Sequence, residues 1–430
     1  MSSQRVIVGL SGGVDSAVAA LLLKEQGFDT QALFMSNWDD DGDGYCTAAQ
    51  DFQDARAVAK ELGIPLHRVS FAAEYRDRVF QYFLREHQAG RTPNPDVLCN
   101  REIKFGVALD YVTRLGGTHF ATGHYARLIE GSSGIELHKA RDGSKDQSYF
   151  LHAVDRAFLA RSLMPLGEIE KSEVRERARR GGLPVFDKPD STGICFIGER
   201  PFREFLGKFL HDRPGPIETA EGERIGTHRG LAFYTLGQRE GLQIGGQKGR
   251  GEQPWYVAAK DASRNALVVV QGHDHPLLSS TALTTGPLHW LLESRHEAFR
   301  CTVKVRYRQS DQAATLEPRA DGTARIVFEK PQRAVTPGQF AVVYDETRCL
   351  GGAVIETTTP IVDKIDALTL AQAAKTTLFA AGNVADVRTN APGARLDARR
   401  AARRVPSRDG QAQQRRRRLL PLDDGGLHDE

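Results

Sequence analysis

The 430-residue chain has few cysteines and no closely spaced pair of them. The five are Cys46, Cys99, Cys195, Cys301 and Cys349. The absence of a CxxC pair argues against a zinc ribbon. An odd number of cysteines without a recognisable secretory signal argues against a structural disulfide framework. We therefore expect each thiol to be either chemically active or a small buried apolar group.

Long apolar runs are also missing. No stretch approaches the roughly 18 apolar residues that predict a membrane span. The first residues lack the apolar core and the small-residue cleavage pattern of a signal peptide. We therefore expect a cytoplasmic protein with no membrane segment. The 40% of hydrophobic and 26% of charged residues are typical of a globular protein with a sizeable core.

The excess of basic residues is small and unevenly distributed. The net charge is +3, and 13 of the 58 Lys and Arg but only nine of the 55 Asp and Glu lie in residues 361–430. The rest of the chain is therefore almost neutral. Bulk charge does not predict nucleic-acid binding, and such a function must depend on local patches.

The first half of the sequence alternates strand-like and helix-like segments. The predicted strands are Arg5–Leu10, Thr30–Phe34, Leu66–Phe71 and Thr118–Ala121. The predicted helices are Asp15–Glu25, Thr47–Leu62, Tyr75–Ala89 and Ile103–Leu115. This alternation predicts an α/β fold with a doubly wound parallel sheet, whose ligands bind outside the carboxyl ends of its strands.

The second half is predicted to be mostly β-structure, because short alternating runs are separated by Gly- and Pro-rich turns. The predicted strands are Trp255–Ala259, Ala266–Val270, Cys301–Tyr307, Ala313–Pro318, Ala324–Phe328 and Phe340–Tyr344. The end of the chain is rich in Ala and Arg, which predicts disorder apart from a short helix at Asp366–Phe379. We expect an α/β domain, a small mostly-β domain, a β-barrel and a low-complexity tail, at residues 1–209, 210–275, 276–356 and 357–430.

A glycine-rich loop joins the first predicted strand to the first predicted helix. It consists of Gly9, Leu10, Ser11, Gly12, Gly13, Val14, Asp15 and Ser16. The paired glycines let backbone amides approach an anion, and the helix N-terminus adds unpaired N–H groups. The loop lacks both the Lys-Ser/Thr ending of a Walker loop and the glycine spacing of a dinucleotide fold. It predicts a pyrophosphate cradle, and the alternative is a glycine-rich turn before an ordinary helix.

Two cysteine-containing segments help to decide which of the reactions supported by such a loop this chain catalyses. Residues 92–100 read TPNPDVLCN, and residues 190–198 read DSTGICFIG. Further motifs are TGHYA at 122–126, KDQSYFL at 145–151, YTLGQR at 234–239 and PWYV at 254–257. Together with SGGVDS at 11–16, these motifs closely resemble the tRNA-specific 2-thiouridylases, the MnmA-type family of PP-loop ATP pyrophosphatases. The resemblance extends from about Arg5 to Ile355.

The resemblance implies an ATP-dependent tRNA sulfurtransferase. Such an enzyme adenylates the C2 carbonyl oxygen of the wobble uridine and replaces it with sulfur, releasing AMP and pyrophosphate. Cys195 would carry the sulfur as a persulfide supplied by a cysteine desulfurase or a sulfur-relay protein. Cys99 would be the partner nucleophile and would form a transient intramolecular disulfide with Cys195. Asp96 would be a candidate general acid or base.

The resemblance also implies binding residues. ATP is expected at residues 9–16, Met35 and Gly123, with Asp15 holding Mg²⁺ against the phosphates; a core position is the alternative for Met35. The target base is expected at Asn94, Pro95 and Asp96. The other expected tRNA contacts are His124, Lys145, Asp146, Gln147, Arg306, Tyr307 and Gln339.

One pattern in the barrel region and the function of the chain leave alternatives open. Alternation along residues 304–308 places Lys304, Arg306 and Arg308 on one face, where they would contact RNA or simply be solvated. A different enzyme, a PP-loop ligase that adenylates a small molecule, would need neither Cys99 nor Cys195. A non-enzymatic RNA-binding module with a degenerate nucleotide site would bind RNA without turning over ATP.

Overall fold

The computed structural model describes residues 4–38, 48–190, 202–245 and 252–361. All of them belong to one compact unit. None of the helices in these ranges combines the length and the hydrophobicity that a membrane span requires. Cys46, Cys195 and the tail with its predicted helix at 366–379 lie outside the described residues.

The N-terminal domain begins with alternating strands and helices. In chain order its strands and α-helices are β1 (Arg5–Gly9), α1 (Val14–Glu25), β2 (Asp29–Ser36), α2 (Ala48–Leu62), β3 (Leu66–Ser70), α3 (Ala72–Tyr75), α4 (Gln81–Gln88), α5 (Pro95–Leu98), α6 (Ala108–Arg114), β4 (His119–Ala121), β5 (Ala126–Gly131), β6 (Gly134–Lys139), α7 (Ser148–Leu151), α8 (Arg156–Leu159), β7 (Ser162–Leu163), α9 (Lys171–Arg180) and α10 (Phe202–Gly207).

Five of these strands form one parallel sheet in the order β3-β2-β1-β4-β7. Val6, Ile7 and Val8 of the central strand are fully buried, as expected for a parallel sheet covered on both faces. The chain moves outward from β1 to β3 and returns to β4 on the other side of β1. The strand order therefore reverses between β1 and β4, which is where doubly wound sheets bind their ligands. The predicted α/β fold is confirmed.

Two of the predicted helices contain π-helical segments. Arg76–Phe80 lies between α3 and α4, and Cys99–Val107 lies between α5 and α6. The second helix thus begins before Ile103, the predicted start. A π-helix depends on i→i+5 hydrogen bonds, which apolar periodicity does not reveal, and such segments are frequent at functional sites.

A small four-stranded sheet follows the α/β domain. Its strands are β8 (Gly215–Thr219), β9 (Arg224–His228), β10 (Trp255–Asp261) and β11 (Ala266–Gln271), in the order β10-β11-β8-β9. The predicted runs at 255–259 and 266–270 correspond to β10 and β11. The described part of this region also contains a 3₁₀ turn at Leu231–Phe233.

The C-terminal strands form a closed barrel. They are β12 (Ser279–Thr285), β13 (His289–Trp290), β14 (Phe299–Lys304), β15 (Gln312–Pro318), β16 (Ala324–Arg333), β17 (Phe340–Asp345) and β18 (Arg348–Pro360), after a 3₁₀ turn at Pro276–Leu278. Six strands follow the order β12-β16-β15-β14-β17-β18, and pairing of β18 with β12 closes the ring. Closure removes the exposed strand edges. The last strand extends to Pro360, past the expected barrel end at residue 356.

One prediction about this barrel is wrong. Strand β14 ends at Lys304, so Lys304, Arg306 and Arg308 do not share one face of a strand. Lys304 is buried and its ammonium lies 3.3 Å from the carboxylate of Asp146, whereas Arg306 and Tyr307 lie on the turn that follows. The ion pair of Lys304 joins residues 158 positions apart, a long-range contact that the local pattern does not contain.

Candidate active site

The glycine-rich loop folds as a tight turn between β1 and α1. Gly12 has a φ of +80°, and a Cβ at this position would lie 2.3 Å from the backbone oxygen of Asp51. The Ser16 hydroxyl donates to the carbonyl of Gly13 at 3.0 Å and accepts from the Ser11 amide at 3.1 Å. Only glycine suits position 12, because both its dihedral angle and its close backbone neighbour exclude a side chain.

The N-terminus of α1 opens onto this turn. Gly13 is the N-cap, and no side chain within the described ranges caps the helix there. The amides of the first helical turn therefore remain available for an anion, and the helix dipole favours negative charge at that position. The geometry suits the predicted phosphate cradle.

Two further residues predicted for ATP lie at the same sheet edge. Gly123 follows β4, and a Cβ there would lie 2.8 Å from the Ser16 amide nitrogen. Met35 lies near the end of β2, and its Cε would be 3.5 Å from a Cβ on Gly9. The structure thus brings residues from the ends of β1, β2 and β4 together. Met35 also packs against two apolar clusters, so it serves the core as well.

Asp15 belongs to a charged network that the sequence did not predict. Its Oδ1 accepts hydrogen bonds from the Tyr125 hydroxyl at 2.7 Å and from Lys171 Nζ at 2.6 Å. Lys171 is the first residue of α9, and its side chain is only 11% exposed. Burial, which has the larger effect, and the negative charge of Asp15 both raise the pKa of Tyr125 above its usual range. Its hydroxyl therefore stays a donor.

Asp190, the first residue of the second cysteine segment, also belongs to this network. Its Oδ2 lies 2.8 Å from Lys145 Nζ, and its Oδ1 lies 2.8 Å from Lys171 Nζ and 2.9 Å from Arg175. Burial alone would raise the pKa of Asp190, but the hydrogen bonds from Lys145 and Lys171 outweigh burial and lower it to about 2. Asp190 is therefore ionised at neutral pH, five positions before Cys195 in sequence.

A second lysine borders the cradle from another direction. Lys188 Nζ lies 3.1 Å from the carbonyl oxygen of Gly12, 2.8 Å from Asp51 Oδ1 and 2.5 Å from Asp54 Oδ2. Burial would lower the pKa of Lys188, but the hydrogen bonds to Asp51 and Asp54 outweigh burial and raise it. Lys171 and Lys188 thus hold positive charge beside the glycine loop. Sequence reasoning missed both, although Lys188 lies only two positions before the DSTGICFIG segment.

The segment expected to hold the target base is a short capped helix. The side chain of Asn94 accepts from the Asp96 amide at 3.2 Å, and Pro95 occupies the first helical position of α5. Cys99 follows at the start of the second π-helix and is only 1% exposed. It belongs to an apolar cluster with Tyr75 and Ile103. In this conformation the thiol is buried, whereas exchange with a second sulfur requires access to it.

Several residues predicted to contact tRNA have contacts within the protein. Asp146 is buried; its carboxylate accepts from the amides of Ala140 and Ser148 at 3.1 Å and from Lys304. Gln147 Oε1 accepts from the Tyr125 amide at 3.0 Å. These side chains support the local fold.

His124 is also buried and follows β4. Its Nδ1 lies 2.8 Å from the Thr122 hydroxyl, and its ring packs against Phe105. Burial, followed by the charge of Lys104, lowers the pKa of His124 well below its usual value. The ring is therefore neutral at pH 7 and offers a hydrogen bond rather than a charge.

The barrel residues predicted to contact tRNA also have internal partners. Arg306 donates to the carbonyls of Ala334 at 2.9 Å and Leu236 at 3.1 Å. The Tyr307 ring lies 4.3 Å from that of Phe150. Gln339 Nε2 donates to the carbonyls of Thr92 at 2.8 Å and Pro93 at 3.3 Å. These are backbone and aromatic contacts between the barrel and its neighbouring domains.

The two cysteines of the barrel differ from catalytic thiols. Cys349 is fully buried and Cys301 is half-buried. Burial raises the pKa of each thiol to about 12. Both therefore stay protonated at neutral pH, so of the two expectations for each thiol the small apolar group agrees with the positions of Cys349 and Cys301.

Comparisons with known proteins match the three domains. Residues 4–199 match the tRNA methyl transferase HUP domain, 203–271 the tRNA methyl transferase PRC-barrel domain, and 280–355 the aminomethyltransferase β-barrel domain.

Similar curated proteins share most of the chain. The tRNA-specific 2-thiouridylase MnmA of Pseudomonas paraeruginosa is 58% identical over 356 residues, which cover 82% of this chain and 95% of that protein. The protein of the same name from Burkholderia thailandensis is 55% identical over 364 residues, or 83% and 94% of the two chains. That from Francisella philomiragia is 53% identical over 359 residues, or 83% and 100%. The chain therefore belongs to the MnmA-type family of tRNA-specific 2-thiouridylases, which are ATP-dependent tRNA sulfurtransferases.

Proposed function

We propose that the chain converts the wobble uridine of tRNA to 2-thiouridine in two steps. ATP first adenylates the C2 carbonyl oxygen and releases pyrophosphate; sulfur then replaces that oxygen, and AMP leaves with it. The first step is needed because a carbonyl oxygen is a poor leaving group. The observation that carries the proposal is the glycine loop at the strand-order reversal, with Lys171 and Lys188 on its borders.

In this proposal the loop residues 9–16, Met35 and Gly123 bind ATP. The α1 amides and the two lysines stabilise the negative charge of the phosphates, which is the main task in phosphoryl and adenylyl transfer. Asp15 suits Mg²⁺ as a single carboxylate, because Mg²⁺ usually takes one or two protein carboxylates and completes its shell with phosphate oxygens and water. The described contacts of Asp15 all fall on Oδ1. Bound Mg²⁺ would neutralise phosphate charge.

The sulfur steps are assigned to Cys195 and Cys99. A cysteine desulfurase or sulfur-relay protein loads Cys195 as a persulfide, whose terminal sulfur attacks C2. The Cys99 thiolate then attacks the inner sulfur of Cys195 and breaks the S–S bond, so the terminal sulfur keeps the electron pair and stays on C2 while AMP departs. The resulting Cys99–Cys195 disulfide is reduced by an external thiol. Asp96 acts as a general acid or general base next to the target uracil.

For tRNA, we propose that residues 94–96 hold the everted base. The remaining assignments are His124, Lys145, Asp146, Gln147, Arg306 and Tyr307. Lys145, with a side chain 38% exposed, and the exposed Arg306 suit contacts with phosphates, and Tyr307 suits stacking. Residues 1–209 would perform catalysis, 210–275 would form the central domain and 276–356 would contribute barrel contacts to the tRNA.

One assay tests the proposal and its alternatives. The protein is incubated with tRNA, ATP, Mg²⁺ and a persulfide source, the RNA is digested, and 2-thiouridine is measured. Cys195→Ser should form none, and Cys301→Ser, which changes a half-buried barrel thiol, should form normal amounts. Normal thiolation by Cys195→Ser would overturn the persulfide assignment. AMP release that needs neither tRNA nor the two cysteines would instead support a small-molecule ligase.

A further inference from the structure

The Cys99 segment consists of residues 93–99. Residues 90–92, which lead into it, contact both β-domains. Lys260 Nζ of β10 donates to the carbonyl of Gly90 at 2.8 Å. The Arg91 guanidinium donates to Glu356 of β18 at 3.2 Å. The hydroxyl of Thr92 lies 3.4 Å from that of Thr235. Three successive residues are thus tied to elements far away in sequence.

The turn between β16 and β17 also contacts this part of the chain, at Thr92 and Pro93. The Thr92 amide donates to the carbonyl of Pro337 at 3.0 Å, while Gln339 Nε2 donates to the carbonyls of Thr92 and Pro93. A Cβ on Gly338 would lie 2.9 Å from the Thr92 nitrogen. The barrel turn and the loop at Thr92 therefore pack against each other at backbone distance.

Gln339 is itself rigidly placed. Its amide donates to the carbonyl of Thr336 at 3.2 Å, and its carbonyl accepts from the Ile355 amide at 2.8 Å. Gly338 donates to the carbonyl of Ile355 at 2.9 Å. Because β18 belongs to the closed barrel, the side-chain amide of Gln339 is fixed relative to that domain rather than to the α/β sheet.

Only one helical turn separates this anchor from the buried thiol. Pro93 and Pro95 have no N–H and restrict the backbone, and Asn94 caps α5, so the segment is stiff. A displacement at Pro93 is therefore transmitted to Cys99. We propose that Gln339 is a positioning residue that holds the Cys99 segment in its buried position from the barrel. The catalytic significance of this role rests on the function proposed above for Cys99.

This role replaces the tRNA contact that the family resemblance implied for Gln339. The described hydrogen bonds of the Gln339 amide nitrogen go to protein carbonyls, and they exist without RNA. A positioning residue affects the tRNA-free protein. A residue that only contacts RNA changes the tRNA KM and leaves the free protein as it is.

Alkylation of Cys99 in the tRNA-free protein tests the proposal, with each cysteine followed by peptide mass spectrometry. Gln339→Met keeps the length of the side chain but removes the donor. Loss of two ordinary hydrogen bonds should increase the alkylation rate of Cys99 roughly tenfold. Cys349, fully buried in the barrel, should stay protected. Gln312→Met is the matched control, because it removes side-chain hydrogen bonds to Ser310 and from Gln332 inside the barrel, away from the Cys99 segment.

A kinetic measurement separates positioning from RNA contact. With Gln339→Met we expect the thiolation kcat to fall at least fivefold, with the tRNA KM within about twofold of the parent. A raised KM with unchanged Cys99 alkylation would overturn the proposal. If Gln339→Met exposes Cys349 as well, the shorter but still polar Gln339→Asn decides by the same criteria. Active Cys99→Ser would refute the assigned role of that thiol without affecting the alkylation result.

Discussion

Replacing Lys171 by methionine tests the electrostatics of the proposed nucleotide site. The ammonium lies 2.6 Å from Asp15 Oδ1 and 2.8 Å from Asp190 Oδ1, and its side chain is 11% exposed. Without it the two carboxylates repel each other. Asp190 keeps Lys145 and Arg175 as partners, while Asp15 keeps only the Tyr125 hydroxyl among its described contacts.

The magnitude follows from this partial exposure. Removing one partner of a fully buried ion pair costs about 3–5 kcal/mol of unfolding free energy. The side chains of Asp15 and Asp190 are 33% and 34% exposed, so water screens much of this effect. We expect Lys171→Met to lower the unfolding free energy by about 1–2 kcal/mol. Loss of about 1.4 kcal/mol of attraction for phosphate would weaken ATP binding about tenfold.

Two measurements check this expectation at pH 7. Calorimetric titration with ATP and Mg²⁺ gives the affinity, and urea unfolding followed by tryptophan fluorescence gives the stability. Lys171→Arg retains the positive charge and should therefore lose less ATP affinity and less stability than Lys171→Met. Arg177→Met removes an exposed i,i+4 ion pair on the same helix and should change neither by much. If Lys171→Met binds ATP as tightly as the parent protein and is equally stable, the Lys171 ammonium has no part in the site.

Three further predictions concern the same domain. Gly12→Ala, which combines a φ of +80° with a Cβ 2.3 Å from a backbone oxygen, should lose ATP binding by at least tenfold in calorimetry; Gly13→Ala meets an ordinary contact at 3.6 Å and should fold normally by circular dichroism. Asp190→Asn frees Lys171 for phosphate, so ATP affinity should be retained or increase while urea stability falls by about 1 kcal/mol. Burial lowers the pKa of His87 to about 4, so its stabilising effect is complete above pH 6.5 and is lost as pH falls towards 4; His87→Gln should remove about 2 kcal/mol of the stability loss between pH 7 and 5 in urea titrations.

Local features of the sequence predicted much of the α/β domain. The buried run of β1 and the glycines that follow it are adjacent in sequence, so strand, loop and helix could be inferred together. Gly123 and Met35 were assigned by resemblance, and the parallel order of β2, β1 and β4 explains why they meet the loop. The predicted roles of these residues in binding remain to be tested.

The rest depends on contacts between distant residues. Lys171 is 156 positions from Asp15, and Lys188 is 176 positions from Gly12. No local sequence pattern can therefore indicate that either pair is in contact. The hairpin β5–β6 pairs with β18 through Arg348 and His138, which joins the N-terminal half to the barrel. Burial of Cys99 likewise results from packing of the whole apolar cluster. Tertiary contacts determine these features, and propensity does not encode them.

The exposure of each carboxylate separates exchangeable ion pairs from permanent ones. A nucleotide site needs cations, yet cations without partners would destabilise the empty protein, so carboxylates must neutralise them until the phosphates arrive. Asp15 and Asp190 are a third exposed, and water can solvate them at modest cost when a lysine turns to phosphate. Asp146 is 2% exposed and Lys304 10%, so separating that pair would leave buried charges without compensation. By the same criterion of exposure, Lys145, whose side chain is 38% exposed, is better suited than Asp146 to leave its protein partner and bind RNA.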